Sequence, residues 1–390
     1  MQRRLAERNS KISSFHVMEL LRRAKQLEAQ GIDVIHMEIG EPDFPTPTTI
    51  IEAGIKHLKT GAVKYTPAAG LPELQNKIAA FYLQEHGITV DRRRIFVTPG
   101  ASGAFLLAFG VSLNPNEEVL MADPCYPCNS NFTTLFGGIT KSIPVDANSH
   151  YQLTAQQIKA HWSPSSKGAL IASPSNPTGT LINPEELKKA INTVNDLGGC
   201  FYSDEIYHGL VYDQKAVTAL KYSDNVFIIN SFSKYFGMTG WRIGWLIVPD
   251  EFIEATEKLA QNIYIATSTQ SQYAALAAFD DTTLTELEYR RSEFAARRNF
   301  LYENLLRIGF EIPIKPEGAF YIYANCKKFT DDSHQFALDL LESEGLAITP
   351  GIDFGKHEAH HMLRFSYTTS IAIMKVAMQR LEHFINKRSL

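Results

Sequence analysis

The chain has 390 residues, 38 Lys and Arg against 42 Asp and Glu, a formal net charge of −4 at pH 7 and 44% hydrophobic residues. That balance excludes a strongly basic nucleic-acid binder, and no apolar run is long enough to span a bilayer. Four cysteines are too few for a disulfide framework, so a reducing, cytoplasmic setting is the default expectation. Met1-Gln2-Arg3-Arg4 leads into no apolar signal core, so no secretory peptide is expected. Arg92-Arg93-Arg94 is the one basic run and reads as a solvated face.

In chain order, Ser14 is placed to cap a helix running to about Gln30, with Val17, Leu20, Leu21, Ala24 and Leu27 on one face and Gly31 at its end. Ile32 to Ile39 reads as a strand that closes at Gly40-Glu41-Pro42-Asp43. Helices near 47–59 and 71–86 follow, with a loop at Lys64-Tyr65-Thr66-Pro67 between them. From 94 to 248 strands alternate with helices: strands at 94–98, 118–122, 139–145, 169–173, 200–203 and 226–230, helices at 101–113, 127–136 and 183–198. The last of these helices opens with Asn183 as cap, Pro184 in the first turn and Glu186 three positions on. Such alternation predicts an α/β fold with a mostly parallel sheet covered on both faces, and ligands beyond the carboxyl ends of its strands. Helical pattern dominates to about 309, and 317–390 mixes two or three strands with helices near 333–344 and 371–387. The expected division is 1–44 as arm and part of a small domain, 45–285 as the large domain, and 286–390 as the rest of a smaller α/β domain built from both chain ends.

The polar motifs sit where strands end. Thr98-Pro99-Gly100-Ala101-Ser102-Gly103 turns from strand to helix, which suits either tight packing or an anion at a helix N-terminus. Asp123-Pro124-Cys125-Tyr126-Pro127-Cys128 places an aromatic ring that can stack on a flat heterocycle, and also forms a Cys-x-x-Cys pair with no thioredoxin-like context. Ser173-Pro174-Ser175-Asn176-Pro177-Thr178-Gly179 is a turn, and Tyr202-Ser203-Asp204-Glu205-Ile206-Tyr207 ends a buried strand on a carboxylate that needs a partner. Glu205 reads as structural. Ser231-Phe232-Ser233-Lys234 through Arg242 offers hydroxyls, an amine and a guanidinium among aromatic residues, an anion site with a lysine beside it. Arg364, in the apolar strand Met362 to Tyr367, also calls for an anion. His357-Glu358-Ala359-His360-His361 matches the His-Glu-x-x-His zinc pattern, but that pattern needs a helix and there is little room for one; no metal is expected.

Taken together these segments resemble the class I aminotransferases, which use pyridoxal 5'-phosphate on the large fold shared by many such enzymes (fold type I). The resemblance runs from Gly40 to Arg364. It implies that Lys234 forms a Schiff base with the cofactor and moves a proton from the substrate's Cα. It also implies that Asp204 pairs with the pyridine nitrogen and keeps it charged, and that Asn176 and Tyr207 donate to the phenolic oxygen. Gly100, Ala101, Ser102, Ser231 and Arg242 would close around the phosphate, and Tyr126 would lie over the ring. Arg364 would grip the substrate α-carboxylate, with Gly40 and Asn176 beside it. Tyr65 matches the tyrosine that reaches the phosphate of the neighbouring subunit, which implies a homodimer with shared active sites; a capping turn within one subunit is the other reading of that loop.

The implied reaction moves the α-amino group of an L-amino acid to a 2-oxo acid, with 2-oxoglutarate the expected acceptor. The donor reads as aspartate, aromatic or broad. Ala101-Ser102 stand where one group of aspartate aminotransferases is expected to carry a lysine for the distal carboxylate, and Phe15, Tyr126 and Phe320 are candidates for apolar pocket surface. The same scaffold also serves carbon–sulfur β-lyases and aminocyclopropane-carboxylate synthesis. Some relatives are sensors fused to DNA-binding domains, but this chain has no basic helix-turn-helix segment.

Overall fold

The computed structural model describes residues 5–12 and 15–388. From the N-terminal side, helix α1 (His16–Ala29) leads to the two-residue strand β1 (Ile35–His36) and then to helices α2 (Thr48–Lys59) and α3 (Pro72–His86). Strand β2 (Ile95–Thr98), helix α4 (Gly100–Ser112), strand β3 (Glu118–Asp123), helix α5 (Pro127–Leu135) and strand β4 (Ile139–Pro144) follow. Next come helix α6 (Ala155–His161), strand β5 (Ser166–Ala172), helix α7 (Pro184–Asp196) and strands β6 (Cys200–Asp204), β7 (Phe227–Ser231) and β8 (Gly244–Ile247). Helices α8 (Ile253–Ile263), α9 (Thr269–Leu276) and α10 (Asp281–Ile308) precede strand β9 (Tyr321–Asn325). Helix α11 (Ser333–Glu344), strands β10 (Leu346–Ala347), β11 (Thr349–Pro350) and β12 (Met362–Ser366), and helix α12 (Ile371–Arg388) complete the chain.

Seven strands form one sheet in the order β2-β8-β7-β6-β5-β3-β4. The pairings from β7 to β4 are parallel, and β8 runs against both of its neighbours. Apart from the edge strand β4, both faces are buried, which explains why most of these strands read as continuous apolar runs rather than as alternation. Val97, Leu120, Ile171, Phe201 and Ile228 point into one core, and Phe96, Met121, Leu170, Tyr202 and Ile229 into the other. A third core joins α1 and β1 to residues 294–385 and packs around the antiparallel sheet β11-β12-β9 and the parallel pair β1-β10. Helix α10 passes continuously through 285/286: Leu287 lies in the large-sheet core, whereas Phe294, Leu301 and Leu305 lie in the third. No helix among the described residues is long and apolar enough to cross a membrane.

Several local expectations needed adjustment. The strand expected over 32–39 pairs at only two residues, because its partner β10 is itself two residues long and meets it only between Ile35–Leu346 and His36–Ala347. Ser14 lies outside the described residues; the first turn of α1 is instead satisfied from across the fold, where the Asp353 carboxylate accepts from the N–H groups of His16 and Val17 at 2.7 and 3.0 Å. Helix α6 was not anticipated, although Thr154 and Gln157 form a reciprocal capping box at its start. Asn183 caps α7 by accepting from the Glu185 N–H at 2.9 Å. Glu186 does not complete that cap; its carboxylate accepts from the Ala155 N–H at 2.8 Å and fastens α6 to α7. Strand β8 was also missed, since it begins inside the glycine-rich stretch that follows β7.

Phe201 on β6 is fully buried in the middle of the large sheet. Phe201→Ala should lower unfolding stability by about 3–5 kcal/mol, as urea denaturation would measure, because the rigid strands on either side cannot collapse into the space left.

Candidate active site

The register of the large sheet brings the strand ends together. Gly244, the first residue of β8, pairs with both Thr98 and Ser231, the last residues of β2 and β7. A Cβ on Gly244 would lie 2.9 Å from the Gly100 carbonyl carbon and 3.0 Å from the Ala101 nitrogen, so a glycine is needed for β8 to start against helix α4. Gly100 itself is left-handed (φ +70°), and a Cβ there would lie 2.7 Å from an Arg242 guanidinium nitrogen. Arg242, also left-handed at φ 53°, therefore lays its charge against the first turn of α4. That helix starts at Pro99 with no side-chain cap, leaving its first N–H groups for another acceptor. The Ser231 hydroxyl lies 2.9 Å from that of Ser233 at the same spot.

Farther along the same edge, Asp204 ends β6, opposite Ala172 of β5 and Ile229 of β7. Its carboxylate accepts from the Ile206 N–H at 3.2 Å. Burial pushes its pKa up to about 7, against the pull of that hydrogen bond and of Lys234. Lys234 follows β7 and donates to the Gly40 carbonyl at 2.7 Å. Burial lowers its pKa to about 8, and the cations Arg364 and Arg242 act in the same direction. A Cβ on Gly40 would lie 1.9 Å from the Tyr321 hydroxyl, so this turn too is closed to any side chain. The Tyr321 hydroxyl is 2.9 Å from that of Tyr207.

From the smaller sheet, β12 contributes Arg364, which is only 5% exposed. Its guanidinium donates to Asn176 Oδ1 at 3.0 Å, to Thr349 Oγ1 at 3.2 Å and to the Glu38 carbonyl. It lies over the rings of Tyr321 and Phe354, 4.3 and 4.8 Å from their centroids. Its buried Nε has no hydrogen-bond partner, an open donor on a charged group.

These groups surround one cavity of about 320 Å³ between the two sheets. Gly40, Ala101, Ser102, Tyr126, Asn176, Asp204, Tyr207, Ser231, Lys234, Arg242 and Arg364 all line it. Gly100 lies behind Arg242. Tyr65 does not line the cavity and is 83% exposed. Phe320, a candidate for the pocket wall, is instead fully buried in the third core, with its ring 5.7 Å below the Lys234 amine. Glu205 is structural: Oε1 accepts from the Ala219 N–H and from the hydroxyls of Thr218 and Ser203 at 2.9–3.0 Å. The sequence reading missed Tyr321, Asp353, Phe354 and the wall formed by Val17, Met18 and Leu21 of α1. None of these carries a local motif; they come from elements brought to the site only by packing.

Neither the cysteines of the Cys-x-x-Cys pair nor the residues of the His-Glu-x-x-His motif line this cavity. Burial raises Cys125 to about 12 and raises Cys128 as well, and all four cysteines are free. In the His-Glu-x-x-His segment Glu358 is left-handed and only Ala359–His361 forms a 3-10 turn, so His357 and His361 do not share an α-helical face.

The sequence pattern of the family Aminotransferase class I and II is matched by residues 32–381. The chain belongs to the class I and II aminotransferases. It is 38% identical over 386 residues to a (5-formylfuran-3-yl)methyl phosphate transaminase of Methanocaldococcus jannaschii, covering 98% of this chain and 100% of that protein. It is 37% identical over 372 residues to a valine–pyruvate aminotransferase of Mycobacterium tuberculosis, covering 95% and 96%. A crystal structure of an aminotransferase from Mycobacterium tuberculosis superposes with a TM-score of 0.95 at 36% identity, covering 99% of this chain and 100% of that one. This aminotransferase is thus an enzyme of the amino-transferring class (EC 2.6.1.-), in a family that generally uses pyridoxal phosphate. The names of its relatives imply different substrates, so membership sets the reaction class and leaves the amino acid open.

With its pKa at about 8, Lys234 is uncharged above that pH, whereas an ordinary lysine stays protonated to about 10. In the cofactor-free protein an amine-selective reagent should label one lysine with a midpoint near pH 8, and Lys234→Ala should remove that fast phase. Peptide mapping of the labelled site would check both.

Proposed function

We propose that this aminotransferase binds pyridoxal phosphate in the cavity and transfers the α-amino group of an L-amino acid to a 2-oxo acid, with 2-oxoglutarate as acceptor. The observation that carries the reading is the buried Lys234 amine, with its lowered pKa, in the same cavity as Asp204, Arg242 and Arg364. The residues fit the cofactor at both ends. The uncapped first turn of α4 at Gly100, Ala101 and Ser102, with Ser231 and Arg242, is a donor set for a phosphate dianion. Asp204 is a buried carboxylate without a cation at bonding distance, as a protonated pyridine nitrogen requires. Asn176 and Tyr207, which line the same cavity, would donate to the phenolic oxygen, and Tyr126 would lie over the ring.

Bound there, pyridoxal phosphate supplies an aldehyde that accepts the amino group and a charged ring that draws off the electron pair left when Cα loses its proton. A cation against Asp204 would pull its pKa back down, so that the carboxylate stays ionised and holds the ring nitrogen protonated. Arg364 receives the substrate α-carboxylate through its open Nε, held in orientation by Asn176, Thr349 and the two rings. Lys234 Nζ would hold the cofactor at rest and, when free and uncharged, would take the proton from the substrate's Cα. Gly40 contributes its carbonyl as the resting partner of that amine.

Tyr65 faces outward on this chain, which supports its assignment to the phosphate of a second subunit and hence a homodimer with shared sites. The division at 44/45 and 285/286 into a large cofactor domain and a small domain is part of the same proposal; it rests on the separate core that joins both chain ends. Free cysteines suit a cytoplasmic setting.

Borohydride reduction of the protein loaded with pyridoxal phosphate should fix the cofactor to Lys234, as peptide mass spectrometry would read, and Lys234→Ala should lose both the adduct and turnover. An unmodified Lys234, or turnover in Lys234→Ala, would overturn the assignment. Arg364→Lys should lower kcat/KM by about 30–150-fold, equivalent to about 2–3 kcal/mol, because an ammonium cannot reproduce the bidentate fork. Mixing inactive Tyr65→Phe with inactive Lys234→Ala chains should restore activity, since each hybrid dimer would contain one unmutated site. Mixtures no more active than the parents would remove the shared-site assignment.

A further inference from the structure

The reading above leaves the amino-acid side chain unassigned, and the charges around the cavity bear on it. Three cations line the cavity among the described residues, Lys234, Arg242 and Arg364, and each has a task in that reading. The acids beside them are committed as well. Asp353 is held by the first N–H groups of α1, Glu38 Oε1 lies 2.7 Å from His36 Nδ1, and Asp204 sits at the floor. Among the described residues of this chain, no cation lining the cavity is left for a second carboxylate on the substrate.

Beside the hydroxyls of Ser102, Ser231, Ser233 and Thr239 and the Asn176 amide, one side of the wall is apolar. Phe105 and Phe132 stack on one another, with centroids 5.4 Å apart and an interplanar angle of 12°. Phe15 leans over Tyr126 at 6.3 Å. Val17, Met18 and Leu21 of α1 continue this surface, and Met18 is left 56% exposed. Helix α1 is held firmly enough to serve as a wall. Leu20, Ala24 and Leu27 on its other side are buried in the third core, Asp353 caps its start, and Arg23 pairs with Glu342 of α11. An apolar side chain entering here would release water from both surfaces, whereas a second carboxylate would be desolvated with no partner.

We infer that the side-chain subsite takes large apolar or aromatic 2-amino acids in preference to aspartate, and that α1 is the element that sets this preference. The inference rests on the transaminase reading.

Calorimetric titration of the pyridoxal-phosphate-loaded enzyme with 3-phenylpropionate and with maleate tests it. Both carboxylates lack the amino group, so no turnover intervenes. Phenylpropionate should bind at least about tenfold more tightly. Leu21→Arg, which puts a cation on the wall, should weaken phenylpropionate by about tenfold and tighten maleate. Met18→Arg, at an exposed position, makes the same test if the first variant fails to fold. Tighter binding of maleate by the unmodified enzyme, or a folded variant that leaves both affinities unchanged, would overturn the inference alone. Absence of any visible cofactor band after incubation with pyridoxal phosphate would overturn the transaminase reading and the inference with it.

Discussion

The arrangement depends on an amine whose desolvation outweighs the pull of the nearby Glu41 and Asp204 carboxylates. Lys234 is hydrogen-bonded to a backbone carbonyl, that of Gly40, and Gly40 belongs to a segment some 190 residues earlier that is otherwise built into the other core. An ammonium in that position is under-compensated, and the amine responds with a lowered pKa. The hydrogen bond also places the segment after β1 over the end of the large sheet, and so closes the cavity between the two cores. On the far side the Asn176–Arg364 bond makes a second join of the same kind. The cavity therefore exists because two polar groups, each from one sheet, find their partners on the other.

The large sheet was legible because its physics is local. Continuous apolar runs of β-branched and aromatic residues, each followed by glycine, proline or a capping residue, can hardly be placed except as buried parallel strands with helices between them. The site followed almost directly, since polar residues at strand ends are gathered by register once the strands are parallel. Asp204, Lys234 and the 100–102 turn stand out in that way, while their roles are what the family resemblance implies. Where the reading slipped, a non-local partner decided the outcome. The strand at 32–39 shrank to the length of β10, Glu186 capped a different helix from its own, and β8 emerged from a glycine-rich run because it must start against α4 on a residue without a side chain.

The charge arrangement shows a division of labour between the two kinds of residue. On the proposed reading, most groups that handle the shared chemistry sit at or just after strand ends and at a helix start, where backbone geometry holds them, and Arg364 lies within β12. Gly100 and Gly244 are needed there because backbone and guanidinium approach within the space a Cβ would fill. Tyr321, with no motif of its own, supports both sides: its hydroxyl meets Tyr207 and its ring underlies Arg364. Its role could not be read from neighbouring residues, because the contacts that define it come from the turn after β6 and from β12.

The surface that would meet a substrate side chain obeys a different rule. It is drawn from α1, α4 and α5, helices that need only present apolar residues in one direction. Helix α1 has two such directions, one toward the third core and one toward the cavity, and a run of Val, Met and Leu satisfies both without any residue that looks functional. A sequence can therefore state its reaction class through a few polar residues at sheet ends while its choice of amino acid is carried by ordinary hydrophobic residues. Those residues can change without disturbing the register that holds Lys234, Asp204 and Arg364, because none of them contributes a hydrogen bond to that set.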